Sequence, residues 1–279
     1  MAELKYGKYV LQNAIRTELD LPRREQYPFV HIEKEQWKDM DVNCNFACSC
    51  VHSPYVMPDL PHSHPFGEFL YFIGSDPDNP EDLGAVVEIG IGEEWQKLTF
   101  DKTAVLYFRT GLQHAPVYVK KVDRPFYFGH VMQSSSYAKA DEPGENEKAT
   151  TKVEYGEVIK HPVFKKTDYG TELIFIGKDH DAMDADIYFY TVKKPAVIPQ
   201  PDETKGYNRF GILMGGDPKK IPDFTAEVEI TLGTENETQV IDSTTVFHIP
   251  AGIPGKDINF RKVDSPVAFM NIYVPTGKQ

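Results

Sequence analysis

The chain has 279 residues, 41% hydrophobic and 26% charged, which is enough apolar material for one large or two ordinary globular domains and too much for a disordered chain. With 30 Lys and Arg against 42 Asp and Glu, the formal net charge is −12, a balance that repels a phosphate backbone or an anionic lipid surface and so excludes nucleic-acid and membrane partners. No apolar run approaches the roughly 18 residues of a spanning helix, and the start at Met1 lacks a signal-peptide core, so a cytoplasmic protein is expected.

In chain order, Tyr9 to Leu19 and a turn near Glu33 to Lys38 read as helical, forming a short helical extension over residues 1–44. Such an arm is more than one domain needs and suits packing on a partner copy, so a homodimer is expected, the alternative being an arm folded over its own chain. Cys44, Cys48 and Cys50 match no zinc or redox spacing and share alternation with Phe46 and His52, so they read as small core hydrophobes in a reducing compartment. Beyond them, Gly and Pro punctuate short runs rich in Val, Ile, Phe, Tyr and Thr: Phe69 to Ile73, Val86 to Ile91, Val105 to Phe108, Phe126 to Met132, Ile187 to Val192 and Val267 to Val274. These are strands, and the fold class is all-β.

The chain repeats itself. A gap-free offset of 141 residues pairs residues 51–131 with 192–272 at 24 identical positions. They include Gly74 with Gly215, Asp76-Pro77 with Asp217-Pro218, Gly92 with Gly233, Gly111 with Gly252 and Lys121-Val122-Asp123 with Lys262-Val263-Asp264. Gly, Pro and Asp set turn geometry, so their retention implies one β-domain copied. The polar, acidic stretch from Ser134 to Glu147 reads as the linker, which gives domains at 45–147 and 148–279.

His62 and His64, two apart, face the same way only on extended chain. Pro65-Phe66-Gly67 can turn the chain and start the next strand with Glu68 beside both imidazoles, and Gly111 can deliver His114 to the same place. Three imidazoles and a carboxylate converging this way suit one divalent transition ion, Mn, Fe, Zn, Ni or Co, with coordination positions left open.

These residues resemble the cupin superfamily, whose first motif carries His-x-His, a Glu and a Gly, and whose second carries Gly-x-x-His; His62, His64, Glu68 and Gly74 match the first, Gly111 and His114 the second. Val56 stands where the first motif usually opens on Gly, Gly74 comes one residue early, and Arg109 replaces the Pro of the second motif. With the repeat, the resemblance covers about residues 45–275 and implies a bicupin: a duplicated double-stranded β-helix, or jelly-roll barrel. At offset 141 the four ligands become Glu203, Lys205, Arg209 and Gly255, so the second barrel is expected to lack a metal. Lys205 and Arg209 either hold a carboxylate or form a charge-paired former site.

Strand parity from Glu68 points Leu70 and Phe72 inward; parity from His114 does the same for Pro116 and Tyr118, while His52, Phe128, His130 and Met132 line further strands. His130 and Tyr118 are therefore candidate acid/base groups, or else supporting aromatics. His52, Phe72 and Met132 are candidate substrate contacts, and Arg109 either meets an anionic substrate or sits in a rim salt bridge. The leading function is an enzyme using its metal ion as a Lewis acid on a small hydroxy acid or β-dicarbonyl compound, as a lyase, isomerase or hydrolase. The alternatives are an Fe-dependent dioxygenase and a non-catalytic small-ligand binder.

Overall fold

The computed structural model describes residues 4–14, 26–37, 40, 42–57, 60–93, 95–139, 153–200 and 206–276, with backbone alone at 26–29. The β-branched and aromatic runs become antiparallel strands, and the chain divides into two compact units. One unit comprises Thr17–Pro162 with Gly177–Met183; the other comprises Met1–Arg16, Val163–Ile176 and Asp184–Gln279.

The unit containing His62 has a six-stranded sheet in the order Ile159–Lys160, Ala104–Phe108, Glu68–Gly74, Phe126–Met132, Asn45–Val51, Gln26–Ile32. Its second sheet runs Tyr55–Val56, His114–Val122, Asp82–Ile91, Gln96–Lys102. One apolar core joins the two sheets, with Phe72 and Phe126 from the first against Val87, Ile89, Phe100 and Val119 from the second. This is a jelly roll, in which burying both inner faces holds the sheets together. The other unit repeats the plan: Thr245–Ile249, Tyr207–Gly215, Val267–Pro275 and Asp186–Val192 are consecutive in its larger sheet, and Ala196–Ile198, Ile258–Val263, Ala226–Leu232 and Glu237–Ile241 form the smaller. Its core is built around Ile212's neighbour Leu213, with Val228, Ile230, Phe260 and Phe269.

The N-terminal segment differs from the expected helix. Gly7–Tyr9 is a single 3-10 turn, Val10–Gln12 is a strand, and residues 15–19 lie outside the described residues. Val10 pairs with Phe247, as Ile159 pairs with Leu106 in the other unit. Since Leu106 and Phe247 are themselves related by the 141-residue offset, Tyr6-Gly7 and Tyr155-Gly156 open equivalent edge strands. The edge of a sheet, with its unpaired N–H and C=O groups, converts a short amphipathic segment into a strand. The arm thus has a place within its own chain, and the observation behind an expected homodimer is removed.

The three cysteines are buried free thiols, as expected of core residues. Burial pushes the Cys48 thiol up to about 12 and Cys44 further still, so neither offers a thiolate at neutral pH. Register places Ser49 opposite the inward Phe128, so Cys48 and Cys50 lie on the other face of the sheet, toward Tyr71 and Tyr127.

Close approach of backbones is sharpest at Gly129, where an added Cβ would overlap the Ala47 carbonyl oxygen and the Tyr71 hydroxyl that donates to it. Gly129→Ala should therefore destabilise the protein by about 3 kcal/mol or more in denaturant titration. Gly156→Ala, which meets nothing within 4 Å, should be neutral to slightly stabilising.

Candidate metal centre

The centre is assembled where two loops are stitched together. His62 forms an isolated antiparallel bridge with His114, the backbone N–H of each donating to the carbonyl of the other at 3.1 and 2.9 Å. The Gly111 N–H donates to the His64 carbonyl at 3.0 Å, and Gly111 has φ 76°, a conformation that favours glycine. The extended His62-Ser63-His64 segment is thus held by the loop that carries His114 rather than by membership of a long strand. Glu68 follows the turn and opens the strand Glu68–Gly74.

Each imidazole is aimed by a backbone carbonyl. Nδ1 of His62 meets Leu60 O at 2.7 Å, Nδ1 of His64 meets Ala138 O at 2.6 Å, and Nδ1 of His114 meets Leu112 O at 3.0 Å. A carbonyl can only accept, so each Nδ1 carries the proton and each Nε2 presents a lone pair. Flat packing fixes the rings: His64 stacks on Phe66 at 5.4 Å and His114 on Phe108 at 4.1 Å. The ligand atoms of the three histidines lie within 4.8 Å of one another.

Glu68 completes the set. Its Oε2 lies 3.3 Å from His64 Nε2 and 3.1 Å from His114 Nε2, with all three side chains almost fully buried. These are the separations of neighbouring ligands around an ion bonded at about 2.0–2.2 Å, since cis and tetrahedral geometries place such ligands about 3.0–3.5 Å apart. With the Nδ1 protons committed elsewhere, carboxylate and imidazole meet lone pair to lone pair. Among the described residues, Glu68 Oε2 and His64 Nε2 are buried without a hydrogen-bond partner. That arrangement is stable only around a cation, either a metal or a captured proton, so the residues fit a divalent ion.

The electrostatics agree. Burial works against the Glu68 carboxylate, yet His114 and His64 hold it well below the usual carboxylate range. Burial likewise opposes charging His64, but Glu68 raises its pKa above the ordinary value. Burial above all lowers His62 to about 4, so it is neutral and ready to ligate at neutral pH.

The other candidates scatter. Met132 is buried directly across the sheet from Glu68, and Phe72 is core further along the same inward face. His130 is half-buried, with Nε2 2.9 Å from Asn45 Oδ1 and its ring edge-on to His31. His52 is exposed, at the end of Asn45–Val51. Tyr118 faces outward beneath the Lys97 and Lys120 ammonium groups, 5.3 and 4.9 Å from its ring centre, while Val117 and Val119 enter the core. The parity counted from His114 breaks because Ala115 adopts φ 74° and pairing with Asp82–Ile91 shifts between Ile89 and Ile91. Arg109 is exposed and lines a separate cavity of about 640 Å³ with Tyr107, Leu112, Glu157, Lys160 and Asp181. In the other unit Arg209 is buried, and Glu203 and Lys205 lie outside the described residues.

One site residue escaped the sequence reading. The Tyr137 hydroxyl lies 3.4 Å from His62 Nε2, and its ring is edge-on to His64 at 5.3 Å. Tyr137 and the Ala138 carbonyl belong to the polar stretch that composition reads as linker. The lone aromatic in that stretch was the available signal.

No protein-family model matches the chain, and no curated protein matches it by sequence. Solved structures do. The fold is similar to 7S globulin from Momordica charantia, with TM-score 0.61 and 9% identity, covering 97% of this chain and 85% of that one. It is similar to Lactobacillus farciminis oxalate decarboxylase in a formate complex, with TM-score 0.58, 11% identity and coverage of 95% and 85%. It is also similar to a Bacillus subtilis oxalate decarboxylase described by its Mn(II) centres, with TM-score 0.58, 10% identity and coverage of 97% and 78%. The chain has the bicupin fold.

Metal affinity should depend on pH through His64. Ligation needs the proton off Nε2, and Glu68 raises the pKa at which it leaves, so Zn²⁺ affinity measured by calorimetry should climb with pH and level off above that raised pKa. An affinity independent of pH between about 6 and 8 would contradict the assignment.

Proposed function

We propose that this chain is a metal-dependent bicupin enzyme acting on a small oxygenated organic acid, of hydroxy-acid or β-dicarbonyl type, as a lyase, isomerase or hydrolase. The observation that carries this reading is the buried Glu68 Oε2 set 3.3 and 3.1 Å from Nε2 of His64 and His114, whose Nδ1 protons are committed to backbone carbonyls. Three imidazoles and one carboxylate, His62, His64, His114 and Glu68, hold the ion. When bound, a divalent ion supplies a Lewis acid that stabilises negative charge on a substrate oxygen.

The protein's own groups do the rest. Phe66 and Phe108 hold His64 and His114 by ring stacking and keep water from one side of the set. Leu70, Phe72 and Met132 make an apolar floor, which strengthens electrostatic contacts above it. Tyr137 is 40% exposed, at the open side, and its hydroxyl can hold or deliver a proton beside His62. We assign Tyr137 the acid/base role that parity had given to Tyr118. His130, one ring further out at 6.5 Å from Tyr137, is held by Asn45 and positions rather than reacts. The oxalate decarboxylase likenesses support a small carboxylic acid as substrate; the 7S globulin likeness is equally strong, so the fold alone does not select chemistry.

The test is a screen of hydroxy acids and β-dicarbonyl acids against Mn(II)-loaded and, separately, Fe(II)-loaded protein, with oxygen uptake followed in parallel. Turnover without oxygen consumption, abolished in Glu68→Gln, is expected. Oxygen uptake coupled to turnover would assign the iron-dependent dioxygenase instead, and full turnover in Glu68→Gln would refute the site. Tyr137→Phe should lower kcat by about 10²-fold with metal content unchanged; an unaltered kcat would remove Tyr137 from the chemistry.

A further inference from the structure

The unit without the histidine set keeps the frame of the metal centre and inverts its contents. Glu68 lies across from Phe108 and Met132, and Arg209 lies across from Ile249 and Tyr273 in the same register. The bridge between Leu232 and Gly255 repeats the pairing of Ile91 with His114. Arg209 therefore occupies the carboxylate's position, and Gly255, with no side chain, stands where His114 carries its imidazole in the other unit.

Arg209 is 3% exposed. Its Nε donates to Asn271 Oδ1 at 2.9 Å, and Asn271 Nδ2 in turn donates to the Tyr273 hydroxyl oxygen and to Gln200 Oε1, each at 2.9 Å. The Tyr273 hydroxyl donates to Gln200 Oε1 at 3.1 Å. The guanidinium carbon lies 5.1 Å from the Phe247 ring centre and 6.0 Å from that of Tyr273. These hydrogen-bond and ring partners are neutral and fix the orientation of the cation; the exposed Asp257 carboxylate acts on it electrostatically but makes no ion pair with it among the described residues. Nη2 is buried and has no hydrogen-bond partner among the described residues. Nη1 lies 3.6 Å from where a side chain on Gly255 would begin. A guanidinium remains charged even when buried, and an unpaired buried charge is unfavourable until an anion meets it.

We propose that Arg209 anchors a second, metal-free binding site that takes a small carboxylate in the space beside Gly255. A planar carboxylate matches the fork of guanidinium nitrogens, and the Phe247 and Tyr273 rings flank it. One arginine with neutral neighbours suits a single carboxylate charge better than a phosphate dianion. The inference goes beyond the metal-centred reading, because it concerns the other unit and its test reads binding, not turnover.

The experiment is thermal unfolding and calorimetry of the full chain, metal-loaded, titrated with sodium acetate against sodium chloride and sodium phosphate at matched ionic strength. Wild type should show a saturable rise in Tm with acetate, smaller with phosphate and absent with chloride. Arg209→Met should lose that rise. The Cβ of Gly255→Val meets nothing closer than 3.6 Å among the described residues, so the variant should fold while weakening acetate binding by about ten-fold or more. Acetate bound at the metal of the other unit would persist in both variants and so is separated. An unchanged acetate response in Arg209→Met, or in Gly255→Val should the former fail to fold, would overturn the proposal. So would no acetate response in wild type, and a phosphate response equal to that of acetate would overturn the ligand class.

Discussion

Three backbone carbonyl oxygens decide the chemistry of this protein. Those of Leu60, Leu112 and Ala138 take the Nδ1 protons of His62, His114 and His64, and by doing so turn three Nε2 lone pairs toward one point. Without them each imidazole could flip and turn an N–H toward Glu68. With them, carboxylate and neutral imidazoles meet lone pair to lone pair, and a cation, metal or proton, is needed between them. The local chain path sets most of this up: the His62 to His114 bridge and the Gly111 turn bring the Leu60 and Leu112 carbonyls as well as the rings, and the stretch after Ser134 brings that of Ala138. Sequence spacing, backbone pairing and site electrostatics are thus one continuous cause.

The duplicated frame shows how little of a fold commits it to one chemistry. Gly111 and Gly252 keep φ of 76° and 86°, and Gly92 and Gly233 keep 72° and 74°, so the turns that present the site survive in both units. The side chains they present are opposites. One unit gathers lone pairs around Glu68 and calls for a cation; the other gathers N–H groups around Arg209 within neutral aromatic walls. Both cases follow the rule that a buried charge must find its complement, and the sign of the missing partner differs.

Much of this was legible in the residues themselves. Runs of β-branched and aromatic residues between Gly and Pro located the strands, because those residue types fit a pleated, half-buried surface. The spacing of His62, His64 and Glu68, with His114 after Gly111, pointed to side chains that the fold does bring together, as residues proposed to share one ion must be. What failed did so for local physical reasons. Alternation from His114 put Tyr118 inside, but the positive φ at Ala115 reverses the faces beyond it. His52 follows the last paired residue of its strand, where alternation no longer governs. Tyr137 was hidden in a polar stretch whose role is set by hydrogen bonding from a distant ring. The segment after Tyr6 looked helical until an edge strand gave it a partner, and its kinship with Tyr155-Gly156 was invisible at the 141-residue offset because the two pairs lie 149 apart.

The central claim is that one ion sits among Nε2 of His62, His64 and His114 and Oε2 of Glu68. Crystals of Mn(II)-loaded protein, measured for anomalous scattering, test it most directly. A single strong peak per chain within about 2.3 Å of those four atoms is the predicted result. A peak beside Arg209, or none among the histidines at saturating Mn(II), would contradict it.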